Sequence, residues 1–318
     1  MNEFWHAWRK EIIRGTALFC GVLGVFFLGR SLMHRVKEGV THGAAFTALR
    51  DLRGELADAR GQLEGARGDI EAAANDAPRV AAGGWTYHAK VAPGQWVWIR
   101  NVRGSIKVEP TKGSTVEIRA VKTTHTPADS GTVRVVAESY DGGLAVCAVW
   151  NGESTHCGPK GEEYKMRGQH NDVTVDFTVL LPARVRLGVS TVLGDVHVRG
   201  AQAPLSLRTV SGAVDAATTR GPVDVRSFNG GVHVRVEGFA DTGAVDVQTV
   251  NGAVMAELPA TLDADVHAQT TNGSISTEYG LPVHGQFVGQ SVMGTLGRGG
   301  RQVTLKTING AVQLNKIH

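Results

Sequence analysis

An eight-residue phrase recurs through the C-terminal part of the chain and restricts what it can fold into. The segments Thr191–Val198, Thr209–Ala216, Ser227–Val234, Thr249–Ala256, Thr270–Thr277 and Thr307–Leu314 follow one template, Thr–apolar–Asn–Gly–x–Val–x–apolar. Its glycines, Gly194, Gly212, Gly230, Gly252, Gly273 and Gly310, are separated by 18, 18, 22, 21 and 37 residues, the last interval spanning about two units. Each full unit carries a second strand-like run before the template: Pro204–Arg208, Pro222–Arg226, Ala244–Gln248, Asp265–Gln269 and Gln302–Lys306. A fixed period, two strands per unit and a glycine corner imply stacked coils. One coil cannot bury its own apolar side. Stacking sets like positions about 4.8 Å apart and pairs each backbone with the next coil.

This predicts an all-β chain forming a single-stranded parallel β-solenoid (β-helix). Val196, Val214, Val232, Val254, Ile275 and Val312 form one inward ladder; Leu205, Val223, Val245, Val266 and Val303 form another. Asn229, Asn251, Asn272 and Asn309, each followed by glycine, read as corners needing positive φ. An antiparallel sandwich gives no reason for near-identical units. Glycine, 41 of 318 residues, is well above its usual ~7% and fits a chain that turns often. Upstream, Gln95–Arg100, Ser105–Glu109, Thr115–Val121, Thr132–Ala137, Leu144–Trp150 and Val173–Leu181 also read as strands. Residues 85–188 are expected to form an N-terminal β region capping the solenoid, and 189–318 the repeat solenoid itself.

The run Val173–Gly200, the Asn-Gly-x-Val repeats and the closing Leu305–Leu314 resemble the bacterial adhesin-like β-solenoid domain family, a family of unknown function, over roughly residues 95–315. The resemblance implies a β-helical, envelope-associated protein. It carries no catalytic residues to transfer, and fold alone does not settle function.

The N-terminal part has a different period. After a short tail, residues 1–11, the segment 12–30 is apolar throughout Gly15–Gly29, flanked by Arg14 and Arg30, with Ile12 and Ile13 extending the run. It reads as an uncleaved transmembrane signal anchor, short for the hydrocarbon core but helped by snorkelling arginines. The rival, a cleavable signal peptide, lacks a small-x-small site after the apolar run. Flanking charges tie, with Arg9, Lys10 and Arg14 before the segment and Arg30, Arg35 and Lys37 after it, so they do not orient it. Residues 44–75 carry Leu49, Leu56, Leu63 and Ile70 at seven-residue spacing, with Leu52, Ala59, Ala66 and Ala73 three positions later. This heptad seam reads either as a helical stalk through which copies form a homo-oligomer or as a lone amphipathic spacer helix lying on the domain or membrane; Gly54, Gly61 and Gly68 weaken the seam. Residues 76–84 read as a linker. The expected topology is a single-pass inner-membrane protein with its C-terminal domain outside the cytoplasm, binding an envelope or surface ligand; the alternative is a self-assembling scaffold or a regulatory component of an envelope-stress system.

Little in the chain points to chemistry. A formal net charge of +3 with no dense basic run excludes a nucleic-acid stripe. Gly289–Gly294 has the wrong spacing for a nucleophile elbow, and Gly294–Gly300 lacks the Lys-Ser/Thr of a phosphate loop. Neither an enzyme nor a cofactor is expected; the lesser alternative, a polysaccharide-active enzyme on a β-helix, needs a carboxylate cluster, for which Asp215, Asp224 and Asp246 are the candidates and lie in two different columns. Cys147 and Cys157 are read as a disulfide if the domain is exported; with His156 and His170 they do not match zinc spacing. His197, Asp215 and His233 occupy one position in three successive units. With Arg208, Arg226, Asp224 and Asp246 they make a candidate ligand face. Trp85, Trp96 and Trp98 are a candidate aromatic platform or a cap on the solenoid end.

Overall fold

The computed structural model describes residues 80–125, 131–150, 157, 171–239, 243–285 and 289–317. The tail, the anchor at 12–30 and the heptad segment at 44–75 lie outside them. Among the described residues no helix is long and apolar enough to cross a membrane.

The first strands are β1 (Val80–Lys90), β2 (Trp96–Arg100), β3 (Ile106–Thr111), β4 (Thr115–Thr124), β5 (Val133–Tyr140), β6 (Gly143–Trp150) and β7 (Thr174–Pro182). The repeats supply β8 (Arg186–Leu193), β9 (Val196–Ala201), β10 (Leu205–Ser211), β11 (Val214–Thr218), β12 (Val223–Asn229), β13 (Val232–Val236), β14 (Val245–Gln248) and β15 (Val254–Pro259). The chain ends with β16 (Ala264–Asn272), β17 (Ile275–Thr277), β18 (Val283–His284), β19 (Gln290–Leu296), β20 (Gln302–Asn309) and β21 (Val312–Ile317). A front sheet runs β1-β4-β7-β3-β9-β11-β13-β15-β21-β17, and a back sheet runs β18-β19-β16-β20-β14-β12-β10-β8-β2-β6-β5. In the repeats each coil is one back strand, a glycine corner and one front strand.

Both inward ladders are buried between the sheets, the predicted valines, leucine and isoleucine being no more than 8% exposed. Full burial of one such side chain stabilises by about 1.5–3 kcal/mol, and the core is built almost wholly from repeats of that one increment. The corner adds polar ladders. A Cβ at Gly212, Gly230, Gly252 or Gly310 would overlap the carbonyl oxygen of the neighbouring coil's glycine, and all four have φ between 151 and 156°. Beside them the buried hydroxyls of Thr249, Thr307 and Thr270 donate to the carbonyls of Gly230, Gly252 and Gly310 at 3.0, 2.9 and 2.8 Å. The asparagines do not have positive φ. They are selected instead for an amide ladder: Asn251 donates to Asn229, Asn309 to Asn251 and Asn272 to Asn309, each at 2.7 Å.

That ladder also reveals the order of the coils. The last coil in the chain, β20–β21, is inserted between β14–β15 and β16–β17: Val245 faces Val303, Val303 faces Val266, and Val312 lies between Val254 and Ile275. The other end mirrors this, with the first coil β2–β3 lying between β6–β7 and β8–β9. Because every coil offers its neighbour the same inward valines and the same corner, a coil fits wherever one more is needed. Chain order therefore does not dictate stacking order.

Three expectations need correction. The solenoid is not parallel throughout, because β1, β4 and β7 pair antiparallel, as do β5 with β6, β16 with β19 and β18 with β19. These strands take up backbone groups that an open solenoid end would expose. Residues 80–84 are not linker: β1 begins at Val80, where pairing with Thr124 overrides the low strand propensity of Gly83 and Gly84. The boundary at 188/189 falls inside β8, and the coils already begin at Trp96, because Val97 and Ile99 supply inward positions and Gly104 the corner against Gly194, with Asn101 and Arg103 standing where the template has Thr and Asn.

Gly230→Ala is expected to cost at least about 3 kcal/mol, since backbone strain and overlap with a neighbouring coil add. Asn251→Ala is expected to cost about 1–2 kcal/mol from its lost amide bonds. Urea unfolding of the two variants measures both, and the order of severity is the test.

Candidate ligand-binding face

Outward side chains also form columns, one residue per coil. On the front sheet one column runs Lys107, His197, Asp215, His233, Met255, Gln313. His233 bridges coils, its Nδ1 lying 3.0 Å from Asp215 and its Nε2 3.3 Å from Glu257, while Arg235 holds Glu257 at 2.6 Å. Partial burial opposes ionisation of Glu257, but hydrogen bonds from Arg235 and His233 outweigh it and hold the carboxyl below its ordinary value. On the back sheet Ser206, Asp224, Asp246 and Thr304 form one column, and Arg208, Arg226, Gln248 and Lys306 the next. Asp224 accepts from Arg208 at 3.0 Å and Arg226 at 3.2 Å; Asp246 accepts from Arg226 at 3.2 Å and Gln248 at 2.8 Å. Exposed pairs of this kind contribute ~0–1 kcal/mol each.

The seven residues expected on one face are therefore split between two. His197, Asp215 and His233 look out from the front sheet. Arg208, Arg226, Asp224 and Asp246 look out from the back. The cause is the glycine corner, which turns the chain between them. Among the described residues no group of three or more His, Cys, Asp or Glu could hold a metal ion.

A third back-sheet column escaped the sequence reading. The second template position, filled by Val210, Phe228, Val250 and Ile308, points outward; Val210, Phe228 and Ile308 are 47%, 52% and 46% exposed. Together with Arg226, Gln248, Gln269, Thr271 and Lys306, Val250 and Ile308 line a shallow groove of about 390 Å³. The signal was present. Counting alternation from inward Leu207 puts Arg208 out, Thr209 in and Val210 out, against the usual sense of hydropathy.

The tryptophans do not form one platform. Trp85 stacks on Tyr87 at 5.5 Å in the edge strand β1 of the front sheet, and packs against the core there as an end cap would. Trp96 and Trp98 stack at 5.0 Å in β2, which lies inside the back sheet between β6 and β8 and so caps no end. Trp98 covers Gly188, where a side chain would collide with its ring. Cys147 and Cys157 are joined in a disulfide, Cα–Cα 5.8 Å. Both are buried with Ala145 and Val149 against Trp98, Val136 and Tyr140, in a small second core on the outer side of the back sheet.

The family model described as Toastrack DUF4097 matches residues 99–315. Among solved structures, a "putative cell adhesion protein" from Clostridium sporogenes is similar at 12% identity and TM-score 0.46, covering 74% of this chain and 100% of the other. A "putative adhesin" from Bacteroides fragilis is similar at 13% identity and TM-score 0.36, over 74% and 97%. No curated protein matches the chain.

The pH dependence follows from Glu257. Its carboxyl is lowered from 4.5 in the fold, so its contribution is present above that value and is lost as pH falls through the lowered one. Thermal unfolding from pH 6 to about 3 is expected to show a falling melting temperature, with a shallower fall in Glu257→Gln.

Proposed function

The chain belongs to the Toastrack DUF4097 family, and from that premise we propose that it is a non-catalytic, adhesin-like binding protein of the bacterial envelope. In this reading the anchor at 12–30 holds it in the inner membrane. The heptad stalk at 44–75 self-associates, and the solenoid stands outside the cytoplasm as a rigid support for a ligand face. The observation that carries the binding role is the exposed back-sheet stripe of Val210, Phe228, Val250 and Ile308 beside Arg208, Arg226 and Lys306. Apolar side chains repeated at a fixed outward position contribute nothing to the core, and contiguous exposed apolar surface marks interaction sites. Outward carboxylates are taken up by arginines, as in the Asp224 and Asp246 pairs, and not set as a free acid and base. The Cys147–Cys157 disulfide supports export, because such bonds persist in oxidising compartments.

Two experiments test the reading. A C-terminal reporter active only after export is expected to be active, with Cys147 and Cys157 bridged in non-reducing peptide maps; an inactive reporter with free thiols would place the solenoid in the cytoplasm and end the envelope reading. Phe228→Ser with Ile308→Ser is expected to keep the wild-type melting temperature while lowering retention of the full chain on purified envelopes by about tenfold. Unchanged retention would remove the stripe from the account.

A further inference from the structure

The connections that lead from the front sheet to the back sheet stack as the strands do. Residues 91–95, 183–185, 202–204 and 219–222 precede β2, β8, β10 and β12, which are adjacent in that order. Backbone bonds tie them together: the Gly94 amide donates to the Arg184 carbonyl at 2.8 Å, the Leu187 amide to Pro204 at 3.1 Å and the Leu205 amide to Pro222 at 3.0 Å.

Along this edge runs a groove of about 340 Å³ whose lining includes Arg184, Arg186, Gln202 and Arg220, and no carboxylate. All three arginines are exposed. Unlike Arg208, Arg226 and Arg235, none of them is in an ion pair among the described residues. Like charges facing one groove repel and add nothing to folding.

Arg184 adds a second, independent observation. Its φ is 62°, and among the described residues it is the one non-glycine residue with positive φ. Glycine or asparagine occupies that conformation at lower cost. An arginine kept in a strained turn points to work done by its guanidinium. Arg186 is oriented in advance, since its guanidinium carbon lies 5.9 Å from the centroid of Trp96.

We propose that this groove binds an acidic polysaccharide. At about 4.8 Å per coil, the cations on the β8 and β12 connections lie about 10 Å apart along the solenoid, with Gln202 of the β10 connection between them. Each guanidinium fork takes a carboxylate bidentately, and the Gln202 amide takes a hydroxyl or carboxylate between them. A peptide fits less well, because the amides of Gly94, Thr219 and Gly221, which could recognise its backbone, already donate to neighbouring coils, and Pro93, Pro204 and Pro222 have none to give. Bilayers recruit denser clusters, roughly four to eight basic residues, and present a flat surface where this site is concave. The lining holds no aromatic ring on which a nucleic-acid base could stack. The site lies apart from the back-sheet stripe and does not depend on it.

The test measures binding of the full chain in detergent micelles to polygalacturonate, dextran, phosphatidylglycerol vesicles and a single-stranded oligonucleotide, at low and physiological salt. Saturable, salt-sensitive binding to polygalacturonate and none to dextran is expected. Arg184→Asn and Arg220→Gln should each weaken it about tenfold, and Arg184→Asn should melt no lower than wild type, since asparagine relieves the turn. Unchanged affinity in both variants would overturn the proposal. So would binding to vesicles or oligonucleotide without binding to polygalacturonate. Loss of melting temperature in Arg184→Asn would assign Arg184 to the fold and leave Arg220→Gln to decide. Failure here leaves the export and stripe experiments untouched, so the two proposals fall separately.

Discussion

The close approach of one glycine backbone to the next sets the geometry of this protein. Gly194, Gly212, Gly230, Gly252 and Gly310 each turn the chain from back sheet to front with no space for a Cβ against the neighbouring coil. The contact is self-propagating. A glycine admits the carbonyl of the next glycine, whose own corner must then be equally tight. Threonine hydroxyls and asparagine amides bond along the same line, so the corner is held by backbone sterics and two polar ladders at once. Valine then suffices for the core, because a narrow space between two sheets rewards small branched side chains repeated in register.

A corner this tight divides the outside of the molecule into two sheet faces and a connection edge. Each presents one side chain per coil at a spacing fixed by backbone pairing. Positions that look out cannot drift relative to one another, and a ligand meeting them requires little ordering of the protein. On the faces charges are paired between coils, as Arg235 is with Glu257 and Arg226 with Asp246. On the connection edge Arg184, Arg186 and Arg220 are in no ion pair among the described residues. The distinction between paired and unpaired cations separates charge that serves the fold from charge available to a partner.

The fold was legible where neighbours must match. Repeated Val and Gly positions had to be ladders, and the inward sets Val196–Val312 and Leu205–Val303 are buried together. Stacking order was not legible, because identical coils leave no local signal for which neighbour each one meets, and β20–β21 could be placed only by its pairings. The β6–β7 coil lacks the template phrase, and in β2–β3 the phrase is disguised by Asn101 and Arg103 in place of its Thr and Asn, so both read as something other than solenoid. The candidate face was half legible. The columns were identified correctly, but columns before and after a glycine corner share a sequence neighbourhood while facing opposite ways. Arg184 carries no sequence signal at all; its strain exists only in φ.

Cysteine pairs placed on the asparagine ladder test the coil order on which this account rests. Adjacent ladder positions lie about 4.8 Å apart, within reach of a disulfide, and positions one coil further lie about 10 Å apart, beyond it. Asn251→Cys with Asn309→Cys should oxidise to an intramolecular bridge, and Asn251→Cys with Asn272→Cys should remain reduced. A bridge between positions 251 and 272, with 309 left free, would mean that the coils stack in chain order and would contradict the architecture described above.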